Sequence, residues 1–305
     1  MLENTTGVSR IGRYYYGALH CDPKSGAPLR VAFVIGCGET GSSAYDNVVD
    51  QLGEALDSLL LHSSRSLHVD VAVPPGYIHD LHILMEHLTP RMMPNVAAVV
   101  DLFPLEMLLD ISSDNKSTTV ATKIPQSDPL LPLCTALHKV FQVPRLLAMA
   151  PTVLFHADVA VLWAEFDLFS DGAVFALARE QSASPPTMSG GNYGYNAAVA
   201  LLDLDAARRS QKYSRLSVQN MAATYGWTGK AVLQDQDFYT MAACSEPSLL
   251  HQLPCSWNRQ VPAKDNSPPK GVKGVRDLNR ANMTRLHAWC EGGTYICSAH
   301  CLQDD

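Results

Sequence analysis

An apolar run from Leu29 to Ile35 passes into Gly36-Cys37-Gly38-Glu39-Thr40-Gly41, and Val48, Leu52, Leu56 and Leu60 then recur every fourth residue. That succession reads as strand, glycine-rich turn, helix. Glycines in a G-x-G-x-x-G turn let the backbone approach a pyrophosphate at the helix N-terminus, which is the dinucleotide fingerprint. One reading is therefore an NAD-type oxidoreductase using Gly36, Gly38 and Gly41. The next strand argues against it. His68 to Val73 carries Asp70 in its middle and ends in Pro74-Pro75, whereas the acid that binds a ribose hydroxyl belongs at a strand's end.

Composition narrows the class without choosing the chemistry. With 305 residues, 47% apolar and 17% charged, the chain suits a globular protein of one large or two small domains. A net charge of −7 does not suggest a nucleic-acid partner. The long apolar run from Leu146 to Trp163 contains Pro151, His156 and Asp158. It makes a poor membrane span and reads as two buried strands joined by a loop. The N-terminus lacks the apolar core of a signal peptide, so the protein is either cytoplasmic or has an anchor that is absent from this chain. Acceptor triplets for N-glycosylation begin at Asn4, Asn115 and Asn282, each a weak signal.

Residues 1–28 lack a clear period and read as a leader or linker, leaving 29–305 as one domain. Val96 to Phe103 is a further strand, 111–129 an exposed loop, and Leu130 to Val140 a helix. Gly172 to Ala176 follows a short helix that ends in Trp163-Ala164-Glu165-Phe166-Asp167. Asp235-Gln236-Asp237 precedes Phe238, Met241 and Ala242 at helical spacing. Acidic residues suit that first turn because free N–H groups and the helix dipole favour them, so helix capping alone accounts for the pair. Residues 262–280 read as a loop.

The stretch from Asp235 onward, with Leu253-Pro254-Cys255-Ser256-Trp257-Asn258-Arg259-Gln260 behind it, resembles the retaining family-eight glycosyltransferases, and among them the xyloside xylosyltransferases. The resemblance implies an α/β GT-A fold, a mostly parallel Rossmann-like sheet flanked by helices. A GT-A domain also opens with strand, nucleotide-facing loop and helix, so the glycine turn fits both readings. Gly190-Gly191-Asn192-Tyr193-Gly194-Tyr195-Asn196-Ala197-Ala198 is similar to the family's strand entry, with Asn196 kept and Ala197-Ala198 in place of Ser-Gly. The implied site has Gln236, Asp237 and Asn196 in catalytic contact with the sugar. Asp235, Val34 and Gly36 would bind the donor, and Trp257 and Asn258 would face the acceptor.

The implied reaction is transfer of xylose from UDP-xylose to an O-linked xylosyl-glucose on an epidermal-growth-factor-like (EGF-like) repeat, in the endoplasmic reticulum or Golgi lumen. The family uses Mn²⁺, and here the sequence departs from it. Between the Pro144-Arg145 leader and the Glu165-Phe166-Asp167 tail, the two metal-binding acids fall on Ala150 and Thr152. Matching Cys290 and Cys301 to the family's closing cysteines puts its metal-binding His on Ser298. Fallback ligands are His156, Asp158 and His300. A Cys290–Cys301 disulfide is implied at the tail; the rival reading, a zinc site from Cys290, Cys297, His300 and Cys301, has a spacing unlike the usual patterns. Two outcomes stay open beside the oxidoreductase: a xylosyltransferase with reduced or metal-free activity, and an inactive relative that binds a sugar or glycoprotein.

Overall fold

The computed structural model describes residues 8–17, 27–35, 48–90, 92–93, 96–112, 130–180, 194–224 and 233–259. Their strands are β1 (Gly12–Gly17), β2 (Leu29–Val34), β3 (Leu67–Val73), β4 (Ala97–Pro104), β5 (Arg145–Met149), β6 (Phe175–Arg179), β7 (Tyr195–Asp203) and β8 (Leu250–Gln252). The helices are α1 (Val48–Leu61), α2 (Ile78–His87), α3 (Leu105–Ser112), α4 (Leu131–Thr135), α5 (Leu137–Val140), α6 (Val159–Ala164), α7 (Leu204–Arg209), α8 (Gln211–Arg215), α9 (Val218–Thr224) and α10 (Asp235–Ser245).

One sheet runs in the order β1-β4-β3-β2-β5-β7-β6-β8. The pairs β2–β3, β3–β4, β2–β5 and β6–β8 are parallel, whereas β1 and β7 run against their neighbours. Parallel strands covered on both faces need apolar side chains at nearly every position, and every residue of β3 is buried. On one face Phe33, Val69 and Val71 pack with Leu52, Leu56 and Leu59 of α1, Leu81 of α2 and Leu162 of α6. On the other, Ala32, Val34 and Phe175 pack with Leu108 of α3, Leu133 of α4, Val140 of α5, Tyr213 of α8 and Met241 of α10. The result is helix, sheet, helix, as expected from the sequence.

Three local readings are corrected. Gly12–Gly17 is not leader but an antiparallel edge strand on β4. It is fixed there by Arg13, which donates two 2.6 Å hydrogen bonds to Asp101. The second half of the Leu146–Trp163 run is helix, not strand. Asp158 accepts from Ala160 N–H at 2.9 Å as the N-cap of α6, and Val159 and Leu162 are buried one turn apart. The 130–140 helix is broken at Ala136, whose backbone leaves the helical region at φ −120°. There Thr135 Oγ1 takes the Leu131 carbonyl, and Tyr213 O–H donates to the Thr135 carbonyl, so side chains replace the ladder.

Candidate active site

From β2 the chain crosses over to β3 on one side, while β5 lies on the other, so the sheet's topological switch point falls between β2 and β5. In open α/β sheets that crevice, outside the carboxyl ends of the strands, is where ligands bind. A cleft of about 280 Å³ occupies it, lined by Val34 at the end of β2 and by Met149, Ala150 and Thr152 at the end of β5. Asn196, Ala197, Ala198 and Ala200 of β7 form a second side, and Asp235, Gln236 and Tyr239 of α10 a third. The run of alanines leaves the space. The remaining wall includes Cys134, which is disulfide-bonded, and Tyr239 is anchored through its O–H to the Cys134 carbonyl at 3.0 Å.

Two local features set this geometry. In the β6–β7 pairing Leu177 is opposite Ala200 but Ala178 is opposite Asn196. The extra residues form a bulge, which re-aims side chains, and the bulge presents Asn196 and Ala197 to the cleft. Helix α10 starts as the sequence predicts: Gln234 N–H donates to Asp237 Oδ2 at 2.9 Å, closing a capping box. Burial pushes the Asp237 carboxyl above its ordinary value, against the Gln234 N–H that favours the charged form. Asp237 therefore serves the helix start and does not line the cleft, whereas Asp235 and Gln236 do.

A glycine holds α10 against β7. Tyr195 N–H donates to Thr240 Oγ1 at 3.0 Å, and a Cβ on Gly194 would lie 2.8 Å from that oxygen. Gly194→Ala is expected to lower stability by about 1–3 kcal/mol through this overlap, and adding Thr240→Ala should recover part of the loss. Thermal midpoints of the three proteins check it; a double variant no better than Gly194→Ala would refute the account.

At the cleft's edge a chain of amides meets one carboxylate that sequence reasoning missed. Gln236 Nε2 donates to Glu180 Oε2 at 2.8 Å, and Asn196 Nδ2 donates to the same oxygen at 3.0 Å. Asn196 Oδ1 in turn accepts from Asn258 Nδ2 at 2.8 Å and from Ala198 N–H at 3.0 Å. Gln236 and Asn196 thus meet on Glu180, and Asn258, expected to face the acceptor, joins them through Asn196. Trp257 does not join them. Its indole N–H donates to Glu165 at 2.9 Å, its ring packs on the α1 and α6 side of the sheet, and His251 also reaches Glu165 at 3.6 Å.

Among the described residues, those at the cleft do not fit the divalent metal that the resemblance implies. Ala150 and Thr152 do line the cleft, yet neither offers the carboxylate oxygens that Mn²⁺ or Mg²⁺ requires. Their segment is a turn, with Ala150 N–H on the Ala198 carbonyl and Val153 N–H on the Ala150 carbonyl. The brackets on either side touch one another, Arg145 to Asp167 at 3.1 Å. His156 and Asp158 are not brought to the cleft. Asp158 caps α6 and also accepts from Ser64 N–H, bonds that hold its carboxyl below the ordinary value despite burial. Burial, then the neighbouring His62, lowers His156. Gly36, Gly38, Gly41, Ser298, His300 and the Cys290–Cys301 pair lie outside the described residues.

Among the described residues, one group of three metal-type side chains is close enough to hold an ion: His68, Asp70 and Asp101, all buried. Protein cations already occupy it. Asp101 takes the Arg13 fork and His68 Nε2 at 2.9 Å, Asp70 takes Arg30 at 3.2 Å, and Arg30 also meets His68 Nδ1.

No family model matches the chain. Over 231 residues it is 30% identical to xyloside xylosyltransferase 1 of Mus musculus, covering 68% of this chain and 55% of that protein. Identity to the Homo sapiens protein is 29%, over 68% of this chain and 54% of the relative. A stretch of 128 residues, 38% of this chain, is 31% identical to 18% of the Mus musculus xylosyl- and glucuronyltransferase LARGE2. The crystal structure of mouse xyloside xylosyltransferase 1 in its apo form matches with a TM-score of 0.59 at 24% identity, over 77% of this chain and 88% of that one. The chain spans about half the length of the curated relatives it matches.

Proposed function

Because this chain belongs with the family-eight-like glycosyltransferases, as a homologue of xyloside xylosyltransferase 1 with a GT-A fold, we propose that its cleft takes a UDP-activated xylose. The acceptor in this reading is an O-linked xylosyl-glucose on an EGF-like repeat, and the reaction retains configuration at the anomeric carbon. The observation that carries it is the Gln236–Glu180–Asn196 network, built at the cleft on the sheet's switch point. Polar groups fixed before the ligand arrives are what a transition state with developing charge needs. A disulfide at Cys134 supports a secretory lumen, since such bonds persist in oxidising compartments. No helix among the described residues is long and apolar enough to cross a membrane.

The transfer proposed is not metal-dependent in the family's manner, because the resemblance matches Ala150 and Thr152 to its metal-binding acids. The same two residues favour a second reading, an inactive relative that binds a sugar nucleotide or glycoprotein without turning it over. The oxidoreductase reading is set aside: the homologues are glycosyltransferases, and β3 ends in Ala72-Val73 without the ribose-binding acid.

Calorimetric titration of UDP and UDP-xylose, with and without Mn²⁺, tests the proposal, followed by a transfer assay on a xylosyl-glucosylated repeat. Binding that Mn²⁺ leaves unchanged, with transfer, is the expected result. Binding without transfer selects the inactive relative. Binding that requires Mn²⁺ overturns the metal assignment, and no binding of either nucleotide overturns the donor reading.

A further inference from the structure

Glu180 is the first residue beyond β6, and its backbone is fixed by donating N–H to the Gly194 carbonyl at 2.9 Å. Its side chain receives Gln236 from α10 and Asn196 from β7 on a single oxygen, Oε2. An ionised carboxylate only accepts hydrogen bonds, so both amides must turn their NH₂ groups towards it. For Asn196 that leaves Oδ1 already accepting from Asn258 and Ala198. For Gln236, a cleft-lining residue, it points Oε1 away from Glu180. A lone Gln amide can flip, at little cost, and present NH₂ instead. Beside Glu180 it cannot.

We propose that Glu180 is the positioning residue of the donor cleft, fixing the Gln236 amide so that its carbonyl oxygen, not its NH₂, meets the donor sugar. This deepens the nucleotide-sugar reading and rests on it. The orientation matters chemically. As the bond from the anomeric carbon to the diphosphate lengthens, positive charge develops on the sugar. A carbonyl dipole aimed at it stabilises that charge, and an NH₂ group would oppose it. Glu180 acts only through Gln236 and Asn196; nothing in this role requires it to touch the sugar.

The test is a double-mutant cycle of Glu180→Gln and Gln236→Ala, read by calorimetry with UDP and with UDP-xylose. Glu180→Gln keeps the shape but removes the acceptor-only carboxylate, so the Gln236 amide is free to flip. Hydrogen bonds to a charged group are strong enough that the affinity UDP-xylose has beyond UDP should fall about tenfold in each single variant. UDP affinity should stay within about twofold, and the double variant should lose no more than the singles, because the two side chains act as one unit. Where transfer is measurable, kcat should fall with an unchanged acceptor KM. Losses that add in the double variant, or a Glu180→Gln protein that keeps the sugar increment, overturn the inference and leave the donor reading standing. Loss of UDP binding in Glu180→Gln would show that the carboxylate is structural and also overturn it. A wild-type protein that binds neither nucleotide removes the donor reading, and the inference with it.

Discussion

Asp101→Asn is expected to lower the stability of the folded chain by about 3–5 kcal/mol, the cost of leaving buried charges without their partner. The carboxylate is 2% exposed and accepts the Arg13 fork at 2.6 Å and His68 at 2.9 Å, with Arg10 at 3.5 Å. Arg30 and Asp70 complete the cluster. Removing one negative charge leaves Arg13 of β1 without its acid, and Asp70 of β3 as the cluster's one remaining carboxylate beside Arg30 and His68. Burial by itself would raise the Asp101 carboxyl, but hydrogen bonds from His68 and Arg13 hold it below its ordinary value of 3.8. A depressed folded value means that the stabilisation is present above pH 3.8 and disappears as pH falls through the folded value. The gap between wild type and Asp101→Asn should therefore be widest near neutrality and close in acid. Urea denaturation at several pH values reads both. A loss below about 1 kcal/mol at pH 7, the scale of an exposed ion pair, would mean that the cluster contributes little.

That cluster also marks what could and could not be read from the sequence. β2, β3 and β4 were legible because a parallel strand buried on both faces is an apolar run, and the start of α10 because Asp235 and Asp237 sit where free N–H groups want acids. Asp70 stood out as an acid in mid-strand, but its partners come from separate strands, and no local pattern links Arg30 to it. β1 was missed for a similar reason. Its tyrosines do not alternate cleanly with polar residues, and it is held by Arg13 reaching an acid 88 residues away. The Leu146–Trp163 run was read as two strands because short apolar runs look alike, although Asp158 was an available cap signal; the helix read as ending in Trp163-Ala164-Glu165-Phe166-Asp167 is there, begun by α6. Glu180 had no signal at all: it precedes a stretch rich in Ser and Pro, and its partners are 16 and 56 residues distant.

Ala150 and Thr152, by contrast, were reached only through the family resemblance, and the structure puts both on the cleft. If these are the positions that carry the metal in related enzymes, Ala150→Asp with Thr152→Asp should convert a Mn²⁺-indifferent cleft into a Mn²⁺-requiring one. There is room for the change. Neither residue is buried, and the bonds that shape their turn use backbone atoms, Ala150 N–H to Ala198 and Val153 N–H to Ala150. Two carboxylates and the diphosphate oxygens supply the hard ligands that a divalent cation needs, with water completing its shell. The effect acts in both directions. Without metal, two added negative charges repel the diphosphate; at short range near a protein surface such terms reach a few kcal/mol. With metal bound, the repulsion becomes a bridge. The ratio of UDP affinity with Mn²⁺ to that without should rise by about a hundredfold over the natural chain, roughly 2.8 kcal/mol. Calorimetry with and without Mn²⁺ measures the ratio directly, and a thermal melt shows whether the variant is folded. A folded variant whose UDP affinity still ignores Mn²⁺ would place the family's metal positions elsewhere in the chain. It would also remove the reason for treating this cleft as a metal-free descendant of a metal-dependent one.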